Sequence, residues 1–393
     1  MVSSSSDSRK VVFRMSTIYV HWPFCLSKCR YCDFYSVPQE ADTDYKMWLD
    51  KYQSALSRMA ASYYDGDDIT SIYFGGGTPS LLPARFVDGL IAAARQSFRL
   101  SDDVEITLEA NPRTISLQHA VELRRCGVNR ISIGAQSIVD SDLETLGRTH
   151  TSSQAVECVY DVCSVFENVS IDMIYNRPAQ TLDGWIRELN VALKLPVTHV
   201  SLYELIVENN TEISRLIETG VLPPPSDSPE FFERTVDTAT ENDFEMYEVS
   251  NFARDRQYRC RHSLSYWTYQ DYYGVGPGAH SRVTKGNQKI AIAQVCNINK
   301  WISWSGAPHF EEEELSKDDV YKEIIIMGLR SKIGVDLQAI DAHTKAKYGL
   351  KNKLKKLLES DYATLDGRYV ALTRSGILRL NLIARYLTDL GGV

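Results

Sequence analysis

Residues 17–34 read Thr-Ile-Tyr-Val-His-Trp-Pro-Phe-Cys-Leu-Ser-Lys-Cys-Arg-Tyr-Cys-Asp-Phe, a short β-branched and aromatic run that opens directly into three cysteines. Thr17–His21 has the composition of a buried strand. Cys25, Cys29 and Cys32 follow as C-x3-C-x2-C, three thiols within eight residues on a loop that can turn them toward one soft metal centre. Zinc in the usual paired C-x2-C arrangement wants a fourth ligand close by, and the position two after Cys32 is Phe34. Ferredoxin clusters also take four cysteines. Three and only three imply an iron–sulfur cluster with one iron left open to a small-molecule ligand.

Outward from this loop the chain alternates short apolar runs with helical patterns. The runs are Thr17–His21, Ile69–Phe74, Val104–Ala110, Arg130–Gly134, Val169–Ile174, His199–Tyr203 and Glu245–Val249. Between them, Met47, Trp48, Tyr52, Ala55, Leu56 and Met59 share one helical face, as do Phe86, Val87, Leu90 and Ile91, and Ala155, Val156, Val159 and Val162. Strand–helix alternation implies parallel strands joined by right-handed crossovers. About seven such units over residues 17–250, with no GxGxxG after the first strand, predict an α/β fold of the partial TIM-type barrel kind rather than a Rossmann sheet. Polar and glycine-rich residues cluster after several strands, as expected where βα loops at the C-terminal face build one site.

The alternation stops past Asn251. Residues 251–310 read as a connecting region rich in Arg, Tyr and Gly. Residues 311–393, which open on the acidic run Glu311–Glu314, read as a small winged-helix-like domain with helical patterns at Val320–Leu329 and Leu350–Leu358, a strand at Tyr369–Leu372 and a last helix from Arg374. Residues 1–16 form an N-terminal extension, Ser-rich with Arg9, Lys10 and Arg14. A start at Met15 with an upstream extension is preferred to a mitochondrial-type leader, against which Asp7 argues.

The chain has 393 residues, 44% hydrophobic and 24% charged, with 43 Lys and Arg against 51 Asp and Glu, hence a net charge of −8. That balance speaks against nucleic-acid wrapping and against bulk electrostatic attachment to anionic lipid. Eight cysteines scattered over this length exclude a disulfide-stapled secreted scaffold. No apolar run approaches the ~20 residues of a membrane span. A cytoplasmic location follows, with peripheral membrane association or, in a eukaryote, the mitochondrial matrix as variants.

The cysteine loop and its flanks resemble the radical S-adenosylmethionine (SAM) superfamily, and within it the coproporphyrinogen oxidase-like group, which pairs HemN dehydrogenases with HemW haem chaperones. The resemblance covers about residues 17–390. It implies that Cys25, Cys29 and Cys32 hold a [4Fe–4S] cluster whose fourth iron is chelated by SAM. The order of later motifs continues the match: Gly75-Gly76-Gly77-Thr78-Pro79, Glu109 in Leu-Glu-Ala-Asn-Pro, Gln136 in Ile-Gly-Ala-Gln-Ser, Arg148 in Leu-Gly-Arg and Asp172 in Ser-Ile-Asp-Met-Ile-Tyr. The resemblance implies SAM contacts at Gly76, Gly77, Thr78, Glu109, Gln136, Arg148 and Asp172, with Tyr19 and Tyr31 flanking the cluster. Glycine suits close approach of backbone to a ligand. Carboxylates suit ribose hydroxyls and an ammonium, and a guanidinium suits a carboxylate. One departure is Tyr175-Asn176-Arg177-Pro178, where the family reads Tyr-Gly-Leu-Pro; it puts the backbone shape and charge of that loop in doubt.

Two features separate the subgroups. Dehydrogenases carry a further cysteine two after the third ligand and a substantial preceding segment, whereas here that position is Phe34 and 24 residues precede Cys25. Cys260-Arg-His-Ser-Leu-Ser-Tyr-Trp267 resembles the chaperone signature His-Asn-x-x-Tyr-Trp, with Ser263 in place of Asn. The resemblance therefore implies a haem chaperone that delivers haem to an apo-haemoprotein, with a respiratory membrane enzyme as acceptor and a homodimer left open. His262 is the candidate axial ligand, Tyr266 and Trp267 the candidate packing surface, and Cys260 and His280 rival ligands. Arg254, Arg256, Arg259 and Arg261 are candidate propionate partners, although loop arginines are usually solvated and a loop histidine usually only hydrogen-bonds. His21 reads as structural. Cys126, Cys158, Cys163 and Cys296 have no metal spacing and read as inert thiols. The alternative is an oxygen-independent coproporphyrinogen III dehydrogenase of porphyrin biosynthesis; a zinc- or cluster-stabilised structural protein is the third reading. Catalytic residues are not assigned, and whether the chain is an enzyme stays open.

Overall fold

A computed structural model describes residues 15–39, 42–226, 228–303 and 310–390. Six parallel strands run side by side in chain order: β1 (Met15–Trp22), β2 (Asp68–Gly76), β3 (Leu100–Ala110), β4 (Arg130–Gln136), β5 (Asn168–Tyr175) and β6 (His199–Glu204). Each neighbouring pair is registered in parallel. Helices α1 (Tyr45–Tyr63), α2 (Ala84–Ser97), α3 (Leu117–Arg125), α4 (Ser152–Cys163) and α5 (Leu182–Ala192) make the crossovers. The sequence states where several of them start. Asp44, Ser116 and Thr181 accept a first-turn N–H at α1, α3 and α5, and Thr151 with Gln154 forms a reciprocal capping box at α4.

The strands do not read as uniformly apolar, as fully covered parallel strands do. Their residues alternate. Ile72 and Phe74, Ile106 and Leu108, Ile131 and Ile133, and Val200 and Leu202 enter the hydrophobic core shared with the helices. The residues between them are Tyr73, Thr107, Glu109, Arg130, Ser132 and Ser201. The barrel interior is therefore polar, and it holds a cavity instead of the stacked aliphatic layers of a filled barrel.

The seventh expected strand differs. β7 (Glu245–Glu248) pairs antiparallel with β8 (Asn251–Ala253), which is itself antiparallel to β6. At the opposite edge, residues read as a connecting region supply β9 (Asp271–Val275), parallel to β1. An antiparallel meander of β10 (His280–Lys285), β11 (Gln288–Gln294) and β12 (Phe310–Glu314) follows it. The order of the twelve strands is β12-β11-β10-β9-β1-β2-β3-β4-β5-β6-β8-β7, and among the described residues its two ends do not pair, so the barrel is partial. The acidic run read as the start of the C-terminal domain is thus an edge strand of the large sheet. Its four glutamates are exposed, a charge pattern that blocks edge-to-edge pairing.

The remainder is helical with one small sheet. α6 (Lys317–Gly328), α7 (Ala342–Lys347), α8 (Leu350–Glu359) and α9 (Leu380–Thr388) surround β13 (Val335–Asp336), β14 (Ala363–Asp366) and β15 (Tyr369–Leu372), ordered β13-β15-β14. Tyr321, Ile325, Leu354, Val370 and Leu387 belong to a hydrophobic cluster of their own, against which Val249 and Tyr269 of the barrel pack. The fold class expected from the sequence is the one found. β1 begins at Met15 rather than Thr17; residues 1–14 of the N-terminal extension lie outside the described residues.

Candidate functional site

The loop after β1 is fastened at both ends. Gly77 donates its backbone N–H to the Trp22 carbonyl (2.7 Å) and Thr78 donates to the Phe24 carbonyl (2.7 Å), so the glycine run of β2 clamps the chain just before Cys25. A Cβ at Gly77 would collide with the Phe24 carbonyl; at Gly76, which has φ +112°, it would lie 2.7 Å from the Trp22 oxygen. Glycine is required by this backbone-on-backbone contact. Further along, Arg30 donates its N–H to the Leu146 carbonyl (3.1 Å) and accepts from Ile213 (2.9 Å), tying the cysteine loop to the segment that carries Arg148.

One cavity of about 460 Å³ opens beside this loop. Cys25, Cys29, Cys32, Tyr31, Gly76, Gly77, Thr78, Glu109, Gln136, Arg148 and Asp172 all line it. The sequence thus named eleven residues from five separate strand ends or loops that the fold brings to one place. Tyr19 is the exception. It lies behind the lining, with its hydroxyl 3.0 Å from His21 Nδ1 and its ring stacked on Tyr73 and His262.

Arg148 links the two halves of the site. Its Nη1 lies 3.3 Å from Cys29 Sγ and its Nη2 donates to the Gly134 carbonyl at 2.7 Å. Glu109 accepts from the Tyr73 hydroxyl (2.9 Å) and the Gly76 N–H (3.2 Å). Burial first, and then the nearby Asp172 carboxylate, push its pKa up to about 7. Asp172 accepts from Ser132 Oγ at 3.0 and 3.1 Å and is likewise raised by burial. Gln136 sits at φ +65°, and Arg177 Nη1 donates to its carbonyl at 3.3 Å. This answers the doubt over the Tyr175–Pro178 loop. Arg177 is 1% exposed, pairs with Glu188 and lies 2.8 Å from Asp142, so its charge is consumed internally and does not enter the cavity.

A [4Fe–4S] cluster fits this donor set in chemistry: three thiols share one loop at a cavity mouth, with a guanidinium on one of them. Among the described residues no three His, Cys, Asp or Glu side chains already stand in metal-ligand geometry. Cys25 Sγ lies 3.6 Å from the Val37 carbonyl.

The haem candidates behave otherwise. His262 is buried, and both ring nitrogens are taken, Nδ1 by Ser71 Oγ at 3.0 Å and Nε2 by the Tyr266 hydroxyl at 2.7 Å. Iron ligation by His262 would have to displace Ser71 or Tyr266 from its ring. Burial and the Arg130 charge push its pKa down to about 3, which keeps it neutral. Tyr266 faces a separate small cavity, and the Trp267 ring lies beneath Arg330. Neither reaches the main cavity. Arg254 is spent on the carbonyls of Leu193, Val197 and Asn242, Arg259 on Glu245 and Arg261 on Asp103. His280 is exposed on β10. His21 donates from Nε2 to the Tyr35 carbonyl and accepts at Nδ1 from the Tyr19 hydroxyl, as a structural residue does. Of the rival ligands only Cys260 reaches the main cavity, at its floor.

That floor went unread in the sequence. Arg130, Ser132, His199, Ser201, Tyr203 and Asn251 also line the cavity. The signal was present as the alternation in Arg130-Ile-Ser-Ile-Gly and His199-Val-Ser-Leu-Tyr, where a period of two reveals a second, polar face.

Comparison with known proteins places the chain. Residues 19–190 match the model of the radical SAM superfamily and residues 315–379 that of the HemN C-terminal domain. A mitochondrial radical S-adenosyl methionine domain-containing protein 1 from Bos taurus is 32% identical over 392 residues, covering 94% of this chain and 88% of the relative. Heme chaperone HemW of Bacillus subtilis is 30% identical over 387 residues, covering 96% of both chains. The solved coproporphyrinogen III oxidase HemN of Escherichia coli superposes with a TM-score of 0.79 at 20% identity, covering 95% of this chain and 90% of that one. The chain belongs to the radical SAM superfamily, in its coproporphyrinogen oxidase-like group. Membership implies a [4Fe–4S] cluster and SAM. Among the described residues no helix is long and apolar enough to cross a membrane.

Proposed function

We propose that Cys25, Cys29 and Cys32 hold a [4Fe–4S] cluster with SAM at its open iron, and that the chain is a haem chaperone that passes haem to an apo-haemoprotein. The observation that supports the cofactor half is the convergence of the three thiols with Gly76, Gly77, Thr78, Glu109, Gln136, Arg148 and Asp172 on one cavity. A bound and reduced cluster of this kind supplies the electron for reductive cleavage of SAM. The chain's own residues orient the ligand: the Gly76–Gly77 backbone for close approach, Arg148 for a carboxylate, Glu109 and Asp172 for an ammonium and ribose hydroxyls. The haem half is supported by the names of relatives such as heme chaperone HemW at about 30% identity over nearly the full chain. The cellular setting consistent with the relatives is the cytoplasm or, for a eukaryotic chain, the mitochondrion named for the animal relatives.

Anaerobic reconstitution tests the cofactor half. About four irons per chain and a brown colour are expected, with Cys29→Ser losing both; bound zinc without visible absorbance overturns it. For the haem half, the cluster-loaded protein is titrated with haem and, separately, given SAM, a reductant and coproporphyrinogen III. Haem binding without porphyrinogen turnover supports the chaperone; turnover transfers the assignment to the dehydrogenase.

A further inference from the structure

A chain of hydrogen bonds crosses the cavity floor from β7 to Asp172. The strand register places Ser132 beside Ser170, Ser170 beside His199 and Asp172 beside Ser201, so one polar face of β4, β5 and β6 carries all five side chains. Tyr247 on β7, His199 and Ser170 are buried. The Tyr247 hydroxyl lies 2.8 Å from His199 Nε2, and Ser170 Oγ lies 2.7 Å from His199 Nδ1. Ser170 Oγ in turn lies 3.4 Å from Asp172 Oδ1 and 3.4 Å from Ser201 Oγ.

The direction of this chain follows from its far end. The Cys260 N–H donates to the Tyr247 oxygen at 3.0 Å, and a backbone N–H has no other role. Among the described residues His199 Nε2 is the acceptor at hand for the Tyr247 O–H, and a buried hydroxyl proton without an acceptor is costly. Burial, and then the charge of the buried Arg130, hold His199 neutral, so its single ring hydrogen sits on Nδ1 and is donated to Ser170. The Ser170 hydrogen is left for Asp172, directly or by way of Ser201, whose hydroxyl also stabilises the carboxylate. Every donor therefore points toward Asp172, an arrangement in which successive hydrogen bonds polarise one another.

We propose that His199 is a positioning residue of the site: acting through Ser170, it keeps Asp172 a charged acceptor for the ribose hydroxyls of SAM. The inference deepens the preceding reading, on which the role of Asp172 toward SAM rests. Both ring nitrogens of His199 are engaged in the chain, so the residue acts through Asp172 although its ring lines the cavity. The need for it is electrostatic. Burial raises the Asp172 carboxyl, and the hydroxyls of Ser201 and Ser132, the Arg130 charge and the Ser170 hydroxyl oppose that rise. Glu109 faces the same carboxylate with a charge of the same sign, and the hydroxyls of Tyr73 and Tyr203 lie within its field. A protonated Asp172 accepts fewer and weaker hydrogen bonds. The alignment of Ser170 by His199 thus sets the pH below which the nucleotide is held less tightly.

The test follows the Asp172 carboxyl itself. The infrared C=O band of protonated carboxyl groups is titrated in the cluster-loaded protein without SAM, and the part of it lost in Asp172→Asn gives the midpoint of Asp172. SAM affinity is measured in parallel at about pH 6 and about pH 8. Two amide variants differ only in reach. His199→Asn keeps an N–H near the position of Nδ1 and should hold the wild-type midpoint. His199→Gln extends toward Tyr247 and gives up the bond to Ser170, so it should raise the midpoint by about half a pH unit. It should also weaken SAM binding by up to about threefold more at the lower pH than at the higher. His199→Phe, which removes both nitrogens and keeps a ring, should raise the midpoint likewise and guards against a glutamine variant that fails to fold. A midpoint unmoved in His199→Gln or His199→Phe, or raised equally in His199→Asn, overturns the proposal. So does SAM binding that weakens by one factor at both pH values, the mark of a residue that only supports the fold. A midpoint that moves as expected in a chain whose wild type binds no SAM leaves the coupling of His199 to Asp172 standing and removes the SAM reading instead.

Discussion

Arg177 and Glu188 form a buried ion pair, each side chain at most 2% exposed, and the pair governs the shape of the βα loop that presents Gln136. Glu188 also accepts from Ser137 Oγ (2.6 Å) and the Ile138 N–H (3.0 Å), while Arg177 donates to the Gln136 carbonyl. One salt bridge thus holds consecutive backbone positions of the loop after β4. Breaking a buried pair strands the remaining charge, so Glu188→Gln or Arg177→Met should destabilise the fold by about 3–5 kcal/mol. The double variant Arg177→Met/Glu188→Leu should recover much of that loss, yet bind SAM more weakly than wild type because the Gln136 carbonyl is released. Denaturant unfolding and SAM titration of the three variants read both effects.

The glycine clamp gives a second expectation. At Gly77 a methyl group meets the Phe24 carbonyl, a backbone atom that cannot rotate away. Gly77→Ala should therefore displace the start of the cysteine loop, at an overpacking cost of about 1–3 kcal/mol. Its iron content after reconstitution should fall below that of Gly66→Ala, where a Cβ meets nothing within 4 Å. Both glycines have a side chain added at equal chemistry, and Gly66 stands at φ +100°, so the backbone strain falls on the control. Equal iron content in the two would show that the clamp does not hold the cysteines.

Local pattern explains why these features were legible from the chain and others were not. The cysteine spacing, the glycine run and the period-3.6 helices are contiguous, and the sequence displays them without knowledge of the fold. Arg177 looked like a defect in a family motif because its partners, Glu188 and Asp142, lie on other elements and nothing nearby announces them. β9 to β12 were missed for a similar reason: they are short, mostly antiparallel, and defined by pairing with β1 and with one another. Arg130 was counted as strand and nothing more, since its burial depends on the curvature of the whole sheet. The signature around His262 suggested a ligand, while its two partners, Ser71 and Tyr266, become visible only in three dimensions.

His262 accordingly has a structural expectation. His262→Ala leaves Ser71 Oγ and the Tyr266 hydroxyl without their partner and opens a space beside the Tyr73 ring, which stacks on the imidazole at 4.8 Å. A loss of about 1–3 kcal/mol is expected from the unpaired buried groups. Haem affinity and the Soret position should stay as in wild type. A changed Soret band with unchanged stability would reverse that assignment and restore the histidine as a ligand.

The buried carboxyls predict a pH dependence whose sign can be worked out. Burial, aided by Asp172, raises Glu109 to about 7, and burial raises Glu248 to about 7 against the opposing hydrogen bond from Asn251. Each is protonated in the fold at a pH where the unfolded chain has already released its proton. The folded state binds more protons there, so stability falls as pH rises from about 4.5 through about 7. His21, His119, His150, His199, His262 and His280 are all lowered, chiefly by burial, and act in the reverse sense wherever the unfolded imidazoles still hold protons, up to about pH 7.5. The carboxyls are therefore read as a difference between variants. The melting temperature of the cluster-free Glu109→Gln chain, which fixes the neutral form, should gain on that of wild type as pH rises from about 5 to about 8, and Glu109→Gln/Glu248→Gln should gain further. A slope unchanged in both variants would mean that Glu109 and Glu248 are already ionised in the fold, and that the barrel interior is wetter than its lining suggests.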